Sequence, residues 1–247
     1  MSRQIVIEVC VDNVESAIAA KKGGADRVEL CSALSVGGLT PSKGLIEYVI
    51  SHVNIPVFVL IRPRLGDFLY SKAEFDVIKS DIFSAKVAGA SGIVIGMLNS
   101  DGSVDTCRMK EVIEMCDPLP VTFHRAFDMS KDLFDSMEKI IDLGCNRILT
   151  SGGNISASLG GKIITRLNEK ALDRIIIMPG AGINSKVLPE LIELTGCKEY
   201  HLSGAIISNG KMKYSNTILA DIFPSTHQIT DSSVIKEVVE IAESFTT

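Results

Sequence analysis

Ionisable and nucleophilic side chains recur at the ends of short apolar runs. Glu8 and Cys10 stand two apart in "IVIEVC" (5–10), and Glu29 and Cys31 repeat that spacing in "DRVELC" (26–31). Arg62 and Arg64 follow "PVFVLI" (56–61), with Asp67 in the next loop. "VTFHRAFD" (121–128) passes from Val121 and Phe123 straight into His124 and Arg125. "NRILT" (146–150) ends at Thr150-Ser151, and "EYHLS" (199–203) carries His201 and Ser203. Carboxyls beside an imidazole are the groups of general acid–base chemistry, with Glu8 or Glu29 as base and His124 as acid. Paired arginines suit a carboxylate or phosphate. Two thiols at matching depth suit a soft monovalent ion such as Cu(I), held by Cys10 and Cys31. Each set also has a structural use: Glu8 and Glu29 as ion-pair partners of Arg27, Arg62 or Arg64, and the thiols as small buried packing groups.

Such residues act together only if a scaffold brings the run ends to one place. Eight runs have the length and Val/Ile content of buried parallel strands: the five quoted above from 5–10 to 199–203, "GIVIG" (92–96), "PVTFH" (120–124) and "RIIIM" (174–178). Helical stretches separate them. Asp12 with Glu15 and Ser71 with Glu74 read as N-terminal capping pairs. Thr40-Pro41 reads as a cap before a first-turn proline, and Gly23, Gly89 and Gly144 as stops. Strand and helix alternate about every 31 residues through the 247. This predicts an α/β fold, a (β/α)8 TIM barrel, as a single domain over 1–247. A doubly wound sheet would carry a G-x-G-x-x-G turn after its first strand, and none is present. One irregular segment, 204–230, precedes the last helix at 232–245, and its Asn209-Gly210 pair predicts a hairpin or excursion.

In a barrel of this kind the carboxyl ends of the strands open on one face, where the chemistry sits. Polar side chains stacked there must pair or meet a wet cavity. Glycine-rich turns add backbone donors on the same face: "TSGGN" (150–154) with Ser151, "MPGAGIN" (178–184) with Gly180 and Gly182, and "LSGAI" (202–206) with Ser203. Loops after the seventh and eighth strands of barrels often hold phosphate. With Arg62 and Arg64 they predict an anionic small-molecule ligand, although glycines at such turns also serve tight geometry alone.

Composition narrows the rest. Hydrophobic residues make up 46% of the chain, and the net charge is −5 from 25 basic and 30 acidic residues, without a charge block. A nucleic-acid or anionic membrane partner is not expected. No run approaches the roughly 20 apolar residues of a membrane span, and the start "MSRQIVIEVC" lacks a secretory signal. Six cysteines lie singly, without a C-x-x-C pair, as reduced thiols in a cytoplasmic protein do. Cys107, Cys116, Cys145 and Cys197 read as packing residues.

The runs "EVCVDNVESAIAAKKGGADRVELC", "GGLTPSKG", "IRPRLGDFLYS", "DGSVD", "VTFHRAFD", "RILTSGG" and "MPGAGI" together resemble the CutC family of copper homeostasis proteins, from about residue 5 to 205. The resemblance implies a TIM barrel, a cytoplasmic location, a link to copper tolerance or Cu(I) handling, and a homo-oligomer, dimer or tetramer. It maps the family's candidate copper cysteines onto Cys10 and Cys31. It maps the family's polar cavity onto Glu8, Arg27, Glu29, Arg62, Arg64, His124, Arg125 and His201. The implied partner is a copper ion or, since arginines are not what metal capture requires, a small anion. Whether the barrel is an enzyme stays open at this level.

Overall fold

A computed structural model describes residues 5–245 apart from positions 215, 220, 221 and 223. Eight parallel strands alternate with helices in it: β1 (Val6–Val11), α1 (Val14–Lys22), β2 (Arg27–Leu30), α2 (Lys43–Val53), β3 (Val57–Leu60), α3 (Lys72–Val87), β4 (Gly92–Ile95), α4 (Thr106–Cys116), β5 (Val121–Phe123), α5 (Leu133–Asp142), β6 (Arg147–Thr150), α6 (Ala157–Ala171), β7 (Ile176–Pro179), α7 (Leu188–Thr195), β8 (Glu199–Leu202) and, after a hairpin, α8 (Ser232–Ser244). From β1 to β7 each strand ladders onto the next, and β8 returns to pair with β1, giving the order β7-β6-β5-β4-β3-β2-β1-β8. β7 lies against β8 without a ladder, so the barrel is nearly closed. The expected TIM barrel is the observed fold. Among the described residues no helix is long and apolar enough to cross a membrane.

Strands such as β3 and β4 are continuous apolar runs because both their faces are covered. All four residues of β3, "VFVL", and of β4, "GIVI", are buried, as strands enclosed between a filled lumen and a helical jacket must be. Helix starts follow capping chemistry, with two corrections to the sequence reading. Ser71 and Glu74 form the expected reciprocal capping box on α3. Asp12, however, does not cap α1: Asn13 accepts from the Ser16 N–H at 2.8 Å, and Asp12 is turned to the Leu34 N–H instead. Thr40 does not cap α2, which Ser42 does. Thr40 and Arg62 exchange backbone and hydroxyl hydrogen bonds of 2.9 and 3.0 Å, tying the loop after β2 to the loop after β3.

The predicted excursion is an antiparallel hairpin, β9 (Ala205–Asn209) with β10 (Thr226–Thr230). Its Asn209-Gly210 pair opens a long connection instead of forming a two-residue turn, because Asn209 is paired with Thr226. The hairpin is pinned at its base, where the Thr230 N–H donates to Ser16 Oγ of α1 and the Thr230 hydroxyl to the Ser203 carbonyl.

Candidate functional site

Register decides what meets inside the barrel. Glu8 pairs with Arg27 on β2 and His201 on β8, Cys10 pairs with Glu29, and Thr122 pairs with Arg147. Side chains alternate along a strand, so Glu8, its partners and Glu199 fill one lumen. There they form a continuous ladder of charge. Arg147 forks onto Glu199 at 2.7 and 3.1 Å, and Arg27 bridges Glu199 at 2.6 Å to the Glu8 carboxylate. His201 Nδ1 then donates to Glu8 Oε1 at 2.7 Å. Both guanidiniums lie over the Phe58 ring, at 4.8 and 5.3 Å. Gly92 leaves space for that ring, since a Cβ there would come within 2.6 Å of it.

Above the ladder, at the carboxyl ends of the strands, lies a cavity of about 480 Å³. Its polar lining includes Cys10, Glu29, Arg62, His124, Arg125, Asp128, His201 and Ser203, with Leu34, Leu60, Phe68 and Leu149 among its apolar walls. Four buried side-chain atoms lack a hydrogen-bond partner among the described residues: Glu29 Oε2, Arg62 Nε, His124 Nε2 and Tyr70 Oη. Three of those four side chains line this one cavity. Unsatisfied buried polar atoms are uncommon because each costs roughly 1–3 kcal/mol, so their convergence makes this cavity the candidate site.

Arg62 is a buried cation of this cavity. It is 7% exposed, yet every partner of its guanidinium is a backbone carbonyl: Val36, Gly38 and Gly66, each at 3.0 Å. Phe68 stacks beneath it at 5.2 Å. Among the described residues no carboxylate neutralises it. Arg64, expected beside it, lies outside the cavity lining. Its half-exposed side chain is taken by Glu74 at 2.5 Å and Asp67 at 2.9 Å, so it holds the loop to α3.

The carboxyls divide by environment. Burial alone would raise Glu8, but Arg27 and then His201 more than offset it and hold the carboxyl down at about 2. Both its oxygens are engaged, which makes it an anchor, not the base that its type suggested. Burial pushes Glu29 up to about 7; His201 pulls against this, Glu8 adds to it and Arg27 opposes it. Burial would also lower His201, but Cys10 and Glu29 beside it, with the bond to Glu8, hold it well above the usual histidine range. Burial, with Arg62 adding, lowers His124 to about 3. That ring is neutral at ordinary pH, so it offers a fixed hydrogen-bond donor instead of the titrating acid read from sequence.

The glycine turns are used differently from the expectation. The donors after β6 are occupied by Asp128, which accepts from the N–H groups of Ser151 and Gly153 and from the Thr150 and Ser151 hydroxyls. Arg125 bridges Asp128 and Ser151 at 2.8 Å each. The protein thus fills this would-be anion nest with its own carboxylate. Gly180 donates its N–H to the Thr150 carbonyl, and its missing side chain admits Leu149 and His201. Ala181, Gly182 and Ile183 do reach the cavity.

The thiols part company as well. Cys10 lines the cavity, and its Sγ lies 3.5 Å from the Leu202 carbonyl. Cys31 donates to the Val11 carbonyl at 3.4 Å and packs with Phe58, Leu60 and Val94, off the cavity lining. The cavity lining includes one of the two thiols, so a two-thiolate Cu(I) site would need Cys31 to leave its packing. Sequence reading missed Arg147, Glu199 and Asp128. The signal was present as a charge inside each of the apolar runs "NRILT" and "EYHLS" and as the last residue of "VTFHRAFD".

Fold and mouth together define a TIM barrel with a cavity of small-molecule size bounded by buried ionisable groups. The chain matches the CutC family over residues 5–206. It is 50% identical to the copper homeostasis protein cutC homolog of Homo sapiens over 215 residues, 87% of this chain and 79% of that one. It is 47% identical to a family protein CutC of Vibrio vulnificus (strain YJ016) over 234 residues, 91% and 94% of the two chains. A solved CutC structure from Streptococcus agalactiae superposes with a TM-score of 0.77 at 33% identity, covering 81% of this chain and 98% of that one. The protein therefore belongs to the CutC family.

Proposed function

We propose that this barrel serves copper homeostasis, as the names of its relatives say of them, by binding and acting on a small anionic organic molecule at the mouth. One observation carries the reading: among the described residues Arg62 is a buried guanidinium without a carboxylate partner, on a cavity whose other unsatisfied atoms belong to His124 and Glu29. An uncompensated buried charge is strongly unfavourable, and a carboxylate or phosphate of the ligand supplies the missing counter-charge. Thermal-shift and calorimetric titration with inorganic phosphate, sulfate, 2-oxo carboxylates and sugar phosphates test this. At least one anion stabilises the wild type, and Arg62→Met weakens it by about 10- to 100-fold, the worth of a hydrogen-bonded charge. Equal binding by Arg62→Met, or no anion bound by the wild type, ends the reading.

A second reading places Cu(I) between Cys10 and Cys31. In its favour, the two thiols stand at the ends of neighbouring strands, and among the described residues no cysteine is in a disulfide. Capture would require Cys31 to leave its apolar packing and lose its proton, although burial, with Glu29 and Cys10 adding, pushes that thiol far up. Anaerobic Cu(I) titration decides it. Stoichiometry collapses in the Cys10→Ser/Cys31→Ser protein if the pair is the site, and unchanged stoichiometry removes it. Free thiols also support a cytoplasmic location. The exposed Phe83 and Val87 of α3 support a homo-oligomer of two or four copies, for which light scattering is the measurement.

A further inference from the structure

The three unsatisfied side chains of the cavity differ in kind, and their chemistry is fixed by what holds each one. His124 Nδ1 accepts from the Ala126 N–H at 3.1 Å, so the ring's lone pair is on Nδ1 and its hydrogen on Nε2. That Nε2–H is the atom without a partner. The ring cannot easily turn away: it lies against Phe68 at 5.0 Å, and a Cβ on Gly96 would fall 2.7 Å from Nδ1. Glu29 is the carboxyl with an uncommitted oxygen, whereas the Glu8 oxygens belong to Arg27 and His201. Arg62 is a fixed positive charge.

A base, a neutral N–H donor and an anchoring cation in one cavity are the components that proton abstraction next to a carbonyl requires. We propose that the cavity is an enolising site. Glu29 removes a proton from the carbon beside a carbonyl group, and His124 Nε2–H donates to that carbonyl oxygen, in a small substrate whose anionic group lies on Arg62. The proposal rests on the anion reading above for the last part only.

The step balances within the substrate and Glu29. The C–H bond breaks and its proton goes to the Glu29 carboxylate. The C–H electron pair becomes the new C=C bond while the carbonyl π pair moves onto oxygen, giving an enolate hydrogen-bonded by His124. Return of the proton to carbon restores both Glu29 and the carbonyl. No electrons leave the substrate, so no redox partner is consumed. A neutral imidazole suits the second role because its donor persists throughout, while the low-polarity walls of Leu60, Phe68 and Leu149 strengthen the hydrogen bond.

Hydrogen–deuterium exchange tests the step directly. Two arms, 2-oxo carboxylates and α-hydroxycarbonyl phosphates, are first scored for binding by thermal shift. Each binder is then incubated with protein in D2O, and loss of the proton next to the carbonyl is followed by NMR. At least one binder exchanges faster with the wild type than in buffer, and the responding arm identifies the anion. Glu29→Gln still binds it but exchanges about 100-fold more slowly or worse, and His124→Gln slows exchange in the same direction. If Glu29→Gln does not fold, Glu29→Asp gives the same readout, as a fall in kcat with little change in KM. Binders that exchange only at the buffer rate, or a glutamate variant that exchanges like the wild type, overturn enolisation and leave the anion pocket standing. If nothing in the panel binds, the Arg62 reading and this one fall together.

Discussion

Glu8 and Glu29 are both fully enclosed glutamates, and their neighbours push them in opposite directions. Glu8 keeps its charge because Arg27 and His201 hold it. Glu29 has an oxygen without a partner among the described residues, and burial pushes it up to about 7. A carboxyl raised above its unfolded value of 4.5 keeps a proton in the folded protein that the unfolded chain has already lost. Folding stability therefore falls as pH rises from about 4.5 to about 7, by on the order of 3 kcal/mol from this group. Glu29→Gln removes that slope. The loss of stability between pH 5 and pH 8, read from urea midpoints, should be smaller in the variant than in the wild type; an unchanged pH dependence would assign the effect elsewhere. The stability trend is separable from chemistry, since it needs no ligand.

At the scale of elements, each strand end is aimed by the loop and helix behind it. The loop after β6 carries Ser151 and Gly152 against α6 so closely that a Cβ on Gly160 would sit 1.8 Å from the Ser151 carbonyl. Backbone cannot yield there as a flexible side chain could. Gly160→Ala should cost about 3 kcal/mol, the upper end of ordinary overpacking, and loosen the Asp128 contacts with it. Ser71→Ala, by contrast, removes one capping hydroxyl at an exposed start of α3 and should cost about 1 kcal/mol without touching the mouth. Denaturant titration ranks the two, and a Gly160→Ala protein as stable as Ser71→Ala would refute the close-approach account. Both capping corrections have one cause: adjacent polar residues compete for the same N–H groups. Asp12 and Thr40 had better partners across the fold, in Leu34 and Arg62.

Across the whole molecule, the lumen is held by charge as much as by apolar packing. Arg147, Glu199, Arg27, Glu8 and His201 cross the barrel as one chain of contacts, linking β6, β8, β2 and β1. Such a ladder is unfavourable to bury unless every member is paired. Protonating it should open the barrel. Glu8 is held below its unfolded value, so its contribution is present above about 4.5 and is lost as pH falls toward about 2. Despite burial, Arg147 and then Arg27 also keep Glu199 low, so it acts in the same sense. Circular dichroism through that window should show cooperative acid unfolding. An Arg27→Met protein, in which Glu8 keeps His201 and Glu199 keeps Arg147 but each loses a guanidinium, should already be destabilised by about 3–5 kcal/mol at pH 7. A barrel unchanged at pH 2 would show that packing alone sustains it.

The eight strands, their order and the barrel were legible in the sequence because buried parallel strands are continuous Val/Ile runs and helices between them carry a different period. The convergence of Glu29, His124, Arg62 and His201 on one mouth followed from that pattern. Which groups remain uncommitted did not. Arg62 and Arg64 stand two residues apart, yet one finds only carbonyls and the other finds Glu74 and Asp67. Cys10 faces the cavity while Cys31 turns into apolar packing. Local sequence sets the kind of each side chain and the face it takes. Pairing is settled by which groups the closed barrel brings together, some of them nearly 200 residues apart, as Glu8 and His201 are, so only the tertiary structure could decide it.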